Sequence, residues 1–412
     1  MGSTDGVLID LDAMPAPARP RPWPVRRLLK PAALAALLLL VIGGAASPAQ
    51  ARVIDKVADT GGTSVSTQLL TPAALYTAHL RGGVDRSVVE AVPLVPGGPR
   101  WQVAITADQP GLSMNDDGTT LMVRPGQQGP ITFLDARTGK VRWRIGDFAA
   151  AHLLGDRVVY WEPAISDGPA AALERVRMAD VTTGRTIWER SGQPMALDVD
   201  RQRRTVLAVD QDGIAAVYAA ADGHVLASGR DLGVDPFEWM VLEDQGISTT
   251  EIIGDNVYVH SETFVAAFRL RDLKPLWRTP VADPQVLGGC GALACVIGPR
   301  GLTVLDPATG RIRWSSPRWR SITSEGLAVA GDFTAVRLDP ATGQVVTVLG
   351  RGEVIGDLLM RYDRDRTWVT RLADGEIIGV LPLIGPAACE RAGPYLACAT
   401  AGQTVTVWNV RR

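Results

Sequence analysis

Four cysteines, four histidines and a recurring aspartate are the residues whose types and spacing could carry chemistry. The cysteines form two close pairs, Cys290/Cys295 and Cys389/Cys398, separated from each other by about 90 residues. Four reduced core thiols are one reading. A zinc site is disfavoured, because C-x4-C and C-x8-C so far apart do not match tetrahedral-site spacing. Two local disulfides fit a domain outside the cytoplasm, each worth about 2 kcal/mol because the loops closed are short. His79, His152, His224 and His260 are dispersed without metal-ligand spacing and are read as strand-end or surface residues. No H-E-x-x-H, G-x-S-x-G or phosphate-binding loop occurs. Asp210-Gln211-Asp212-Gly213 opens like a Ca²⁺ loop but lacks the downstream ligands, so it is read as a hairpin turn.

The aspartates point elsewhere. Residues 302–314 read LTVLDPATGRIRW, an alternating apolar run that turns at Asp306 and restarts toward Trp314. Asp306 is placed to accept turn amides, Gly310 to supply a positive φ, and Trp314 to bury a large ring. The unit recurs as 131–143 (ITFLDARTGKVRW) and 176–188 (VRMADVTTGRTIW). A further copy, 334–347 (TAVRLDPATGQVVT), loses its Trp, and weaker copies lie at 215–227, 265–277 and 368–379. The Trp-equivalent positions are 101, 143, 188, 227, 277, 314, 347 and 379, a period of about 40 residues. Fixed placement before Thr-Gly makes each Asp a turn acceptor rather than a catalytic carboxylate.

The elements behind this pattern are short strands. The chain has 412 residues with 43 Gly and 28 Pro, and 11 of its 23 aromatic residues are Trp. Beyond residue 65 no long amphipathic helix is legible, which reads as all-β. Four strands per 40-residue unit predict a β-propeller of four-stranded blades. The last unit, 387–410, contains three strands, so an N-terminal strand is expected to complete it and lock the ring. Completing it near Trp101 gives eight blades, with seven or nine compatible and 66–97 fitting poorly.

The repeat resembles the PQQ-type, or tryptophan-docking, propeller repeat, whose pattern is Asp-x-x-Thr-Gly-x-x-x-Trp. Full copies are Asp135/Gly139/Trp143, Asp180/Gly184/Trp188 and Asp306/Gly310/Trp314, while Asp339/Gly343 keeps only the turn. The resemblance covers about residues 66–412 and implies Trp wedged between blades. It also implies that enzymes of this type hold pyrroloquinoline quinone (PQQ) and Ca²⁺ on the propeller axis. This chain lacks their adjacent-cysteine disulfide, and their Ca²⁺ ligands and catalytic Asp are not found, so no catalytic residue and no cofactor are predicted. PQQ with Ca²⁺ is the alternative. Other proteins with this repeat act as assembly or interaction scaffolds in the cell envelope.

The N-terminal region sets the expected location. Residues 1–27 read as a disordered cytoplasmic tail and 28–46 as a transmembrane helix. The uncharged core 31–46 spans about 24 Å against about 30 Å of hydrocarbon. Arg19, Arg21, Arg26, Arg27 and Lys30 flank it and place the N-terminus in the cytoplasm. Cleavage after Ala49-Gln50-Ala51, giving a secreted protein from Arg52, is the alternative. Residues 47–65 read as a linker and 66–412 as the extracytoplasmic propeller. A net charge of −2 gives no argument for nucleic acid. The expected function is a non-catalytic, membrane-anchored scaffold for other envelope proteins; the alternative is a PQQ-dependent oxidoreductase or small-ligand propeller. The non-repeating stretch 231–252, with Phe237, Glu238, Trp239, Glu243 and Asp244, is read as an insertion or as an exposed partner-binding loop.

Overall fold

Alternating apolar runs broken by Gly- and Asp-bearing turns give nothing but antiparallel hairpins, and the hairpins assemble into blades. A computed structural model describes residues 54–410 except 62–64, 81–85, 127–128, 148, 163–174, 193, 203, 236–238, 240–248, 385–388 and 401–403. The tail 1–27, the apolar stretch 28–46 and the two residues 411–412 lie outside the described residues. Among those described, no helix is long and apolar enough to cross a membrane.

The described residues hold nine four-stranded antiparallel sheets, eight of them sequential up-and-down meanders. Blades 1 to 8 span 67–106, 111–147, 150–191, 194–231, 250–280, 286–316, 319–351 and 353–382. Blade 9 takes its first three strands from the C-terminus, Cys389–Ala392, Tyr395–Ala399 and Val405–Asn409. Its fourth is Asp55–Asp59, which pairs antiparallel with Val405–Asn409. The ring closes where the Tyr395 hydroxyl donates to the Leu94 carbonyl at 3.1 Å. Closure matters because a lone blade exposes two apolar faces and an unpaired edge.

Nine blades correct the expected eight, for a physical reason. The poorly fitting stretch 66–97 supplies three strands, Thr67–Leu70, Ala74–Leu80 and Arg86–Pro93, and Trp101–Thr106 is their fourth. Trp101 therefore belongs to blade 1 and does not complete the last one. The locking strand lies instead within 47–65, the stretch read as a linker. Strand Asp55–Asp59 is short and mostly exposed, carrying neither the Asp-x-x-Thr-Gly turn nor a Trp. The repeat spacing has no marker there.

The core lies between blades, in apolar clusters shared by neighbouring sheets. Phe133, Ile131 and Ile145 of blade 2 meet Leu153, Val158 and Tyr160 of blade 3. Cluster members alternate along each strand, so one blade feeds two interfaces. Disulfides Cys290–Cys295 and Cys389–Cys398 staple the first two strands of blades 6 and 9.

Candidate functional site

The repeat residues assemble a joint that recurs around the ring. Asp135 Oδ1 accepts from Arg137 N at 3.1 Å, Thr138 N at 2.8 Å and Thr138 Oγ1 at 2.9 Å. Asp180 and Asp306 hold their turns the same way, and Asp339 holds Ala341 N and Thr342 Oγ1. Gly139, Gly184, Gly310 and Gly343 all have φ near +70°. Each presents a bare backbone face to the Trp of the preceding blade. An added Cβ at Gly184 would lie 2.6 Å from the Trp143 ring. The indole N–H donates onward: Trp101 to Ala136 O, Trp143 to Val181 O and Trp188 to Ala220 O, at 2.9, 2.9 and 3.0 Å. Trp277 and Trp314 reach Pro307 O and Pro340 O, both at 2.8 Å. These aspartates and tryptophans form structural joints between blades.

Polar chemistry collects on the first strand of each blade instead. First strands of successive blades touch around the ring axis, as for blades 3, 4 and 5. One register position, two residues before each strand's last, carries Gln68, His152, Asp198, Glu251, Glu353 and Glu390 in blades 1, 3, 4, 5, 8 and 9. All six are half-buried. Burial, and then the Asp198 charge on the preceding blade, pushes the Glu251 carboxyl up to about 7. Burial, then Arg124 and Arg201, pushes His152 down to about 4 and holds it neutral. Burial also raises Glu390, against the Leu70 N–H that donates to its Oε2 at 2.6 Å across the blade 9–blade 1 junction. Glu353 Oε2 accepts from the Tyr362 hydroxyl at 2.6 Å. Buried carboxyls beside one another can store a proton or meet a basic group, which is recognition chemistry rather than a nucleophile–base pair.

This inner ring is the feature that motif reasoning misses. Its signal is positional: Glu251 and His152 both precede a Gly-Asp turn by the same offset. The other histidines stand apart. His79 and His260 are buried in second strands, and exposed His224 bonds Asp222. Asp210 Oδ1 takes Asp212 N and Ile214 N, as a hairpin turn requires. In the insertion, Phe237, Glu238, Glu243 and Asp244 lie outside the described residues. Trp239, read as exposed, is 1 % exposed. Its indole donates to the His260 carbonyl at 2.9 Å within the blade 4–blade 5 core. Among the described residues no three His, Cys, Asp or Glu side chains come together as a metal-binding group.

Residues 85–231 match the PQQ_2 family model, described as outer membrane protein assembly factor BamB. BamB from Moraxella catarrhalis is 18% identical over 87% of this chain and 98% of that one, with a TM-score of 0.44. Sqt1 of Saccharomyces cerevisiae gives 0.50 at 10% identity, covering 88% and 100%. A eukaryotic initiation factor gives 0.53 at 10% identity, covering 80% and 94%. At such identities the two structures with TM-scores of 0.50 and 0.53 speak for the fold alone. No curated protein matches the sequence.

Proposed function

On the premise that this is a propeller of PQQ-type repeats, we propose that it acts as a non-catalytic interaction or assembly scaffold of the cell envelope. The observation that carries the reading is the match of 85–231 to a family model named for an assembly factor. The repeat residues agree with it, since their hydrogen bonds go into holding blades together. In this reading 28–46 anchors the chain in the membrane with the propeller outside, and the two disulfides suit that compartment. Its partners are other envelope proteins, met by the ring surface.

The test is photo-crosslinking of the full chain in its own membrane fraction, from probes placed on exposed blade edges such as Val346 and Ile312. Discrete protein adducts are expected, lost when a neighbouring edge residue is changed to Lys. Added PQQ and Ca²⁺ should leave the melting temperature and dye reduction unchanged. Stoichiometric quinone absorbance with turnover would replace the scaffold by an oxidoreductase. Mature protein beginning at Arg52 in the medium would replace the anchor by a cleaved leader.

A further inference from the structure

The hairpins joining the second and third strands of successive blades reach the same end of the ring, and their charge changes sign around it. Asp212 of blade 4 and Glu262 of blade 5 stand at two of these tips, and Arg300 stands at the tip of blade 6. The tip of blade 7, residues 331–333, adds three more arginines. Arg320 donates to the Pro299 carbonyl at 2.8 Å and so ties blade 7 to the blade 6 tip. Arg351 Nε donates to the Asp332 carbonyl at 2.9 Å, and the Arg318 guanidinium stands 4.7 Å over the Trp319 ring. All four arginines are exposed. The one acid among them is Asp332, held below the usual carboxylate range first by the Thr334 N–H, with the charges of Arg318 and Arg351 acting across space.

Phe333 completes this tip with 44% of its surface exposed and φ 65°. Left-handed backbone is disfavoured for a bulky residue, and an exposed ring held there gains little burial in return. On the blade 6 side of the arginines lies a cavity of about 240 Å³, lined by Pro280, Val281, Pro284, Arg300 and Pro317. That volume falls below the range of about 300–1,000 Å³ usual for a free ligand and suits one apolar side chain of a larger partner.

We propose that this face of blades 6 and 7 docks an acidic segment of a partner protein, one of its apolar side chains entering the cavity, its carboxylates meeting Arg300 and Arg318, and Phe333 packing on its apolar side. The inference rests on the scaffold reading and names the chemistry of the partner. Four guanidinium groups against the single Asp332 carboxylate set the sign. Exposed Glu262 and Asp283 border the same face on the blade 5 side. A partner protein with patterned charge matches both signs, whereas a uniformly anionic bilayer is repelled by these two acids.

Benzoylphenylalanine in place of Phe333, photo-activated in the full chain in its own membrane fraction, tests this beside the same probe at Val346. A protein adduct at 333 is expected, mapping to a segment in which Asp and Glu outnumber Lys and Arg. Arg300→Glu with Arg318→Glu should cut that adduct about fivefold and leave the one at 346 unchanged. The mapped segment, made as a peptide, should bind the wild-type chain in calorimetry and the charge-reversed chain about fivefold more weakly. Phe333→Asn should weaken the peptide while holding or raising the melting temperature, because Asn accepts a left-handed backbone. A lower melting temperature with unchanged peptide binding would make the ring structural only and overturn its docking role. Adducts at 346 with none at 333, adducts at 333 indifferent to charge reversal, or lipid adducts alone at 333 overturn the inference and leave the scaffold standing. No protein adduct from either probe sinks the scaffold reading as well.

Discussion

Glu251 and His152 occupy the same register position two blades apart, and burial moves each away from its charged form. Their consequences for stability run in opposite directions. A carboxyl raised from 4.5 to about 7 contributes fully below pH 4.5, and that contribution is lost as pH rises through 7. An imidazole lowered from 6.5 to about 4 contributes fully above pH 6.5, and that is lost as pH falls through 4. Between pH 4.5 and 6.5 the two oppose each other, so the wild-type profile should be flat where either alone would slope. Glu251→Gln should separate them. It is expected to raise unfolding free energy by about 2 kcal/mol at pH 8, after discounting for partial exposure, and by nothing at pH 4.5. Urea melts at the two pH values check this; an equal gain at both would remove the ionised carboxylate as the cause. At the repeat turn, Asp180→Ala should cost about 1 kcal/mol, the net worth of its lost turn bonds, read from the denaturation midpoint.

At the scale of the element, the Gly–Trp joint predicts coupling rather than two separate contributions. Gly184→Ala meets both a left-handed backbone and the Trp143 ring, and should cost about 2 kcal/mol or more. In a Trp143→Ala background the steric part vanishes, so the cycle should return a coupling of about 1 kcal/mol. Trp188→Ala, at a buried ring with its own hydrogen bond, should cost about 3–5 kcal/mol. Additive cost in the cycle would mean that the glycine serves only its φ. The joint was legible residue by residue, because turn chemistry and a Trp eight positions after the Asp are local facts. Its absences were legible too, at Ala227 and Thr347, but what fills or leaves the gap was not. Whether Leu273 and Trp239 reclaim the space depends on a neighbouring blade and on an insertion that no period describes.

At the scale of the molecule, ring closure rests on one short strand. Ile54 N donates to the Val380 carbonyl, and Thr60 donates to and accepts from Val405. Removing residues through Asp59 should leave Val405–Asn409 as a bare edge, giving a lower melting temperature and aggregation in light scattering. A truncation ending at Arg52 should do neither. Reducing both disulfides should lower stability by about 2 kcal/mol per bridge without opening the ring, because each staples strands of one blade only. A reduced protein that loses native circular dichroism would show the staples to be essential to closure.

The sequence by itself determined the blade: the four-strand period, the Asp-held turn, the Gly that admits an indole and the close cysteine pairs are all encoded within about 40 residues. Tertiary structure alone decided the rest, because it depends on which surfaces meet. The ninth blade and the locking strand Asp55–Asp59 have no repeat marker, since a strand that ends up paired to the far terminus needs only to be extended and of the right length. The inner ring from Gln68 to Glu390 unites residues up to 322 positions apart, and only closure makes them neighbours.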